Sequence, residues 1–86
     1  MPLQVSVVSA DAELFSGEAN QVVARTTEGE IGILGGHEPI LALLGAGEVR
    51  VSLLNGDKLI VNAEDGFLSV EHDTVTIVAG KASLVK

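Results

Sequence analysis

Apolar and polar residues alternate with period two at several places along the chain. Leu3-Gln4-Val5-Ser6-Val7, Glu48-Val49-Arg50-Val51-Ser52-Leu53 and Thr74-Val75-Thr76-Ile77 each put every second side chain on one face. Successive side chains of a strand point to opposite faces, so these segments are predicted to be strands buried on one side, with Val49, Val51 and Leu53 inward. Val22-Val23-Ala24-Arg25-Thr26-Thr27 reads as a strand with weaker alternation. Leu59-Ile60-Val61 and Phe67-Leu68-Ser69-Val70 are short apolar runs, predicted to be strands buried on both sides. Pro39-Ile40-Leu41-Ala42-Leu43-Leu44 is apolar all round. Proline suits a first helical turn, but the run is short and Gly45 and Gly47 soon follow, so the strand-rich context favours a strand.

The segments between these runs carry turn chemistry. Asn55-Gly56 tolerates positive φ at both positions and is predicted to close a hairpin between a strand ending at Leu54 and one starting near Lys58. Glu64-Asp65-Gly66 and His72-Asp73 are predicted to close the next two, and Thr27-Glu28-Gly29-Glu30 another. Strands recurring every ~8–12 residues, with little helix between them, indicate a sandwich or flattened barrel. Gly32, Gly35 and Gly36 cluster beside His37 and Pro39. That cluster fits a sharp corner between two sheets. It also fits a surface loop shaped for a partner.

The chain has 86 residues, room for one domain. It is 47% hydrophobic but only 2% aromatic, so Val, Leu, Ile and Ala must fill a thin core. Twelve acidic and five basic residues give a formal charge of -7. This argues against nucleic-acid binding, which needs a basic face, and disfavours direct adhesion to anionic lipid. The absence of cysteine excludes disulfides and thiol nucleophiles. The start, Met1-Pro2-Leu3-Gln4, lacks the basic residues and long apolar run of a signal peptide. No stretch approaches the ~18 uninterrupted apolar residues of a spanning helix. Membrane association is therefore expected only through a protein partner.

Candidate chemistry is thin. His37, Glu38 and His72 are the only conceivable metal or acid–base set, and neighbouring strand residues such as His37 and Glu38 point to opposite faces. His37 reads either as a corner histidine bonded to nearby backbone or as a partner contact, and His72 as a plain turn residue. None of Ser6, Ser9, Ser16, Ser52, Ser69 and Ser83 sits in a nucleophile elbow. The glycine cluster lacks the Gly-Lys-Ser/Thr of a phosphate loop. Glu28 and Glu30 are solvated turn carboxylates rather than a glycosidase pair. No catalytic, cofactor-binding or metal-binding residue is expected. Lys58, just after a hairpin turn, leaves one alternative: a small β carrier or adaptor domain with an unrelated partner, although the Met-Lys-Met tip of carriers is missing.

The stretch Glu28-Gly29-Glu30-Ile31-Gly32-Ile33-Leu34-Gly35-Gly36-His37-Glu38-Pro39-Ile40 closely resembles the signature of the epsilon subunit of bacterial F-type ATP synthases. Val7-Val8-Ser9-Ala10, Phe15-Ser16-Gly17, Gly66-Phe67-Leu68-Ser69-Val70 and Val75-Thr76-Ile77 follow in matching order, so the likeness runs from about Leu3 to Ala82. It implies an all-β fold: a flattened ten-stranded β-sandwich of two five-stranded sheets, with 1–86 forming the epsilon N-terminal domain. It further implies a non-catalytic subunit of the central stalk at the cytoplasmic face of the plasma membrane, coupling proton-driven rotation to ATP synthesis. Partners would be the gamma subunit and the c-ring. Carried over by position, Glu28, Gly29, Glu30 and His37 would face the c-ring, and Ser9 and Ala42 the gamma subunit. Glu28 and Glu30 would both project toward basic c-ring loops.

Two positions depart from the pattern. Gly35 stands where the family often has proline, and Asp65 where a second glycine usually precedes the Gly-Phe pair. The chain ends at Lys86, where the sandwich is expected to end. The paired C-terminal helices of many family members, and their inhibitory role, therefore have no counterpart in these residues.

Overall fold

A computed structural model describes residues 2–10 and 12–85. Among them the chain forms six strands: β1 (Leu3–Ser9), β2 (Glu13–Thr26), β3 (Gly29–Leu34), β4 (Ile40–Leu53), β5 (Lys58–Glu71) and β6 (Thr74–Leu84). Hydrogen bonding runs in the order β1-β6-β5-β4-β2-β3, and β1 also pairs with β2. Five strands thus close on themselves, and β3 lies outside that ring. β1 runs parallel to β6, Val5 opposite Val75 and Val7 opposite Ile77; the other pairings are antiparallel. Along one edge of β2, β1 pairs from Glu13 to Ala19 and β3 from Gln21 to Thr26, while β4 takes the other edge.

The all-β expectation holds, and Ile40–Leu44 is strand. The strand count differs. Instead of ten short strands in two separate sheets there are six, and β2, β4 and β5 each run for 14 residues. The reason lies in residues that bend a strand without ending it. Glu64-Asp65-Gly66 is not a turn: it lies within β5, where Asp65 takes φ 59. The β5–β6 register is the same on both sides of it, with Val61 opposite Leu84 and Glu71 opposite Thr74. A Cβ on Gly66 would overlap the carbonyl oxygen of Val78 on β6, so the two backbones approach as closely as they do only because the residue is glycine. β2 bends too, with register shifts between Ala19 and Gln21 and between Ala24 and Thr26.

Bending lets the inner faces meet over one aliphatic core. Leu3, Val5 and Val7 of β1, Val22 of β2, Ile33 of β3, Val49 and Val51 of β4, Val61, Leu68 and Val70 of β5, and Val75 and Ile77 of β6 are all buried. No polar side chain is buried among the described residues. The alternation in β1, in β4 from Glu48 and in β6 from Thr74 therefore sorted inside from outside correctly, although Leu53 is only half-buried. The Phe67–Val70 run is not buried on both sides. Leu68 and Val70 point in, while Phe67 keeps 39% of its surface exposed. Both phenylalanines lie outside the fully buried set.

His72 and Asp73, at φ 50 and 59, make the two-residue turn joining β5 to β6. Asn55-Gly56 also closes a hairpin, but only Gly56 takes positive φ, at 94. The Leu53 carbonyl accepts the Gly56 N–H at 3.1 Å, and the Leu53 N–H donates to Asp57 O at 2.8 Å. This is a three-residue loop whose glycine takes the left-handed position.

Two substitutions test the bend. Gly66→Ala should destabilise the chain by about 3 kcal/mol or prevent folding, since overpacking against backbone has no soft escape. At Asp65, Gly should be tolerated at least as well as Asp. Val should cost about 1–2 kcal/mol, because a β-branched residue resists the left-handed region. Urea midpoints ordered otherwise would mean that the bend does not depend on this backbone geometry.

Candidate functional site

Glu28, Gly29 and Glu30 occupy the tip of the β2–β3 hairpin and the first residues of β3. Thr26 builds the tip. Its hydroxyl accepts the Glu28 N–H at 3.1 Å and donates to Gly29 O at 2.7 Å. Such side-chain bonds to local backbone stabilise tight turns. Glu28 is exposed. Glu30 does not simply project outward: its Oε2 accepts a hydrogen bond from Arg50 Nη2 at 3.0 Å, across the outer face of β2. Both side chains remain near half exposure, at 55% and 45%.

His37 lies at the other end of β3, in the connection to β4. Its N–H donates to Leu34 O at 3.2 Å, and its ring Nδ1 donates to Glu38 O at 2.8 Å. The corner reading therefore matches its bonding. Gly36, at φ 81, donates its N–H to Asp73 Oδ1 at 2.7 Å, tying this loop to the β5–β6 turn. The Asp73 carbonyl also accepts the Gln4 N–H at 2.8 Å. Gly35 has no positive φ, so the residue that departs from the signature sits where the backbone does not demand glycine. His37 and His72 thus lie in linked loops. Among the described residues, no three His, Asp or Glu side chains gather as metal ligands would.

Ser9 ends β1 and closes the β1–β2 turn: both its N–H, at 2.8 Å, and its hydroxyl, at 3.2 Å, donate to Ala12 O. Ala42 is half-buried on β4, opposite Leu68. Ser9 and Ala42 stand on strands separated by β6 and β5. Glu28 and Ala42, however, share a groove of about 260 Å³ between the β2–β3 tip and the start of β4. Lys58 opens β5 beyond the tip of its hairpin, opposite Ser52.

One surface was not anticipated. Register alignment puts Leu43, Phe67, Val78 and Val8 in a single row across β4, β5, β6 and β1. Their neighbours Leu68, Ile77 and Val7 are buried, so the row lies on the outside of the sheet. Leu41, 73% exposed, and Leu43, 65% exposed, extend it at one end. Ala42, opposite the buried Leu68, and Ser9, opposite the buried Ala79, adjoin the ends of the row along the chain but face the inner side. The signal was present in Phe67-Leu68-Ser69-Val70: if Leu68 and Val70 face in, Phe67 faces out. In Ile40–Leu44 both faces are apolar, so alternation could not reveal it. The four described cations lie elsewhere. Arg25 and Arg50 alternate with the buried Ala24, Val49 and Val51, and the exposed Lys58 and Lys81 stand on the same half, opposite Ser52 and Glu64.

Comparison with known proteins adds an independent line. The family model described as ATP synthase, Delta/Epsilon chain, beta-sandwich domain matches residues 2–85. The ATP synthase epsilon chain of Micrococcus luteus is 50% identical over 82 residues, covering 95% of this chain and 90% of the relative. That of Frankia casuarinae is 46% identical over 85 residues, covering 98% and 99%. Among solved structures, a chain in the mitochondrial ATP synthase of Euglena gracilis, in an assembly that includes the c-ring, superposes with a TM-score of 0.90 at 26% identity. That match covers 96% of this chain and 53% of the Euglena chain, so this chain spans about half its length.

The Gly36–Asp73 tie can be checked by hydrogen exchange. Asp73→Gly keeps the backbone freedom of the turn but removes the acceptor. Faster exchange at the Gly36 amide is expected, with a loss of about 1–2 kcal/mol. Unchanged protection would show that the loop is held by other contacts.

Proposed function

Because this chain belongs to the family of ATP synthase delta/epsilon β-sandwich domains, we propose that it is a non-catalytic subunit of the central stalk, bridging the gamma subunit and the c-ring. The observation that carries the reading is the outward apolar row of exposed Leu43 and Phe67 and half-buried Val78 and Val8, with exposed Leu41 beside it. Isolated exposed leucines are ordinary, whereas a contiguous apolar row across four strands marks a docking surface. Its task is to hold the domain on gamma by burial of apolar area. Ser9 and Ala42 adjoin its two ends along the chain with their side chains on the inner face, so a gamma contact there would involve their backbone.

The ring contact has different physics. Glu28, Gly29 and Glu30 stand on a hairpin whose tip is fixed by Thr26, with the exposed Glu28 carboxylate at its end. The resemblance adds His37, which stands at the other end of β3 rather than beside this set, so a ring contact there would be a separate one. An exposed ion pair contributes only ~0.2–1 kcal/mol, so such contacts orient the domain on a basic ring loop rather than hold it there. The stretch 1–86 works as one sandwich domain. Its layered description follows from counting each of β2, β4, β5 and β6 as two arms about its bend, which with β1 and β3 gives two sets of five. The working location is the cytoplasmic face of the bacterial plasma membrane, peripheral and through the complex. The bacterial epsilon chains among its relatives support that reading, and no helix among the described residues is long and apolar enough to cross a membrane.

The two contacts should separate genetically. Leu41→Ser with Leu43→Ser is expected to abolish co-purification with gamma from native membranes while changing the stability of the free chain by under about 0.5 kcal/mol. Glu28→Lys is expected to leave gamma binding nearly intact and to weaken coupling of proton flow to ATP synthesis. If both variants lost both properties equally, this division between the two surfaces would be wrong.

A further inference from the structure

Glu30 and Arg50 stand on β3 and β4, which flank the Gln21–Thr26 part of β2, and their side chains meet over it. In register, Glu30 lies opposite Arg25, but its carboxylate bonds to Arg50, which lies opposite Val23. Val23 is also opposite Gly32, further along β3 from the hairpin tip. The carboxylate therefore leans away from Thr27 and Glu28 and toward the middle of the outer face. Its charge is met there by a guanidinium at 3.0 Å. Among the described residues Glu28 has no such partner; its bond to the turn uses its backbone N–H and leaves the carboxylate exposed.

We propose that Arg50 is a positioning residue for the ring contact: it neutralises Glu30 and draws it back from the hairpin tip, so that Glu28 alone supplies the attraction toward a basic loop. This rests on the stalk reading above and adds how the contact is tuned. The pair acts as one neutral unit toward a distant cation. Removing either partner uncovers the charge of the other, and the two removals shift association in opposite directions. Removing both restores neutrality. A carboxylate that touched the partner directly would behave otherwise, because its loss would not be compensated at Arg50.

The test is a double-mutant cycle on association of the full chain with the complex of gamma and detergent-solubilised c-ring, measured across a range of salt concentrations. Arg50→Gln should tighten association by up to about fivefold at low salt, the range of an exposed pair, and the gain should fade as salt screens it. Glu30→Gln should weaken association by a similar factor, and the double variant should return to the wild-type level. Arg50→Lys should rescue wild-type behaviour, which a merely structural role for the guanidinium would not require. Glu28→Gln should weaken association in every background. A double variant as weak as Glu30→Gln alone would overturn the proposal by showing that Glu30 itself meets the ring. Weaker association in Arg50→Gln would also overturn it. If the wild-type chain binds gamma but shows no association with the ring, the ring reading itself fails. Urea midpoints of the free chain carrying Glu30→Gln, Arg50→Gln or both then still report on the pair: strictly additive losses refute the neutral unit.

Discussion

At Gly66 the backbone of β5 passes so close to the carbonyl of Val78 on β6 that a side chain has no room between them. That approach lets two long strands fold over together while their ladder continues in one register. The rest of the molecule depends on it. Both sides of the bend contribute to one core, Val61 and Ala63 before it and Leu68 and Val70 after it. With only two aromatic residues in 86, that core has no large ring to fill space, and it must be closed by bringing aliphatic faces together. The left-handed Asp65 beside Gly66 is the local strain that the bend tolerates, and aspartate is among the residues least penalised there.

Much of this was legible in the chain. Alternation marked the inward residues of β1, of β4 from Glu48 and of β6 from Thr74, because burial on one side leaves a period of two in the sequence. The Glu64-Asp65-Gly66 bend was misread as a turn because turns and bends need the same residues: ones that accept positive φ or close approach. Strand continuity past such a point depends on the partner strand and leaves no local mark. The apolar row was hidden for a related reason. In Ile40–Leu44 the inner face serves the core and the outer face serves the surface row, so both are apolar and no period remains. The Glu30–Arg50 pair was invisible because it joins residues 20 apart that meet only once β3 and β4 flank β2.

The surface divides labour between its sides. One outer face carries the apolar row and no described cation, and Arg25, Arg50, Lys58 and Lys81 stand on the other half. The chain is acidic overall, and part of that charge stands in turns and loops, at Glu28, Glu38, Asp57 and Asp73. Adhesion by area and orientation by charge can thus act at different places on a small body. A domain that passes torque between two neighbours benefits from that separation, since weakening one contact leaves the other standing.

The parallel seam between β1 and β6 has a consequence for how the chain is made. Gln4 pairs with Thr74 and Ser9 with Ala79, so within this domain the strand synthesised earliest awaits the one synthesised latest. Until then β1 can rest on β2 by a local hairpin, with its other edge open and Val5 and Val7 without their final neighbours. Ring closure is therefore a late, long-range event, of the kind that slows folding and leaves nascent chains exposed to mispairing.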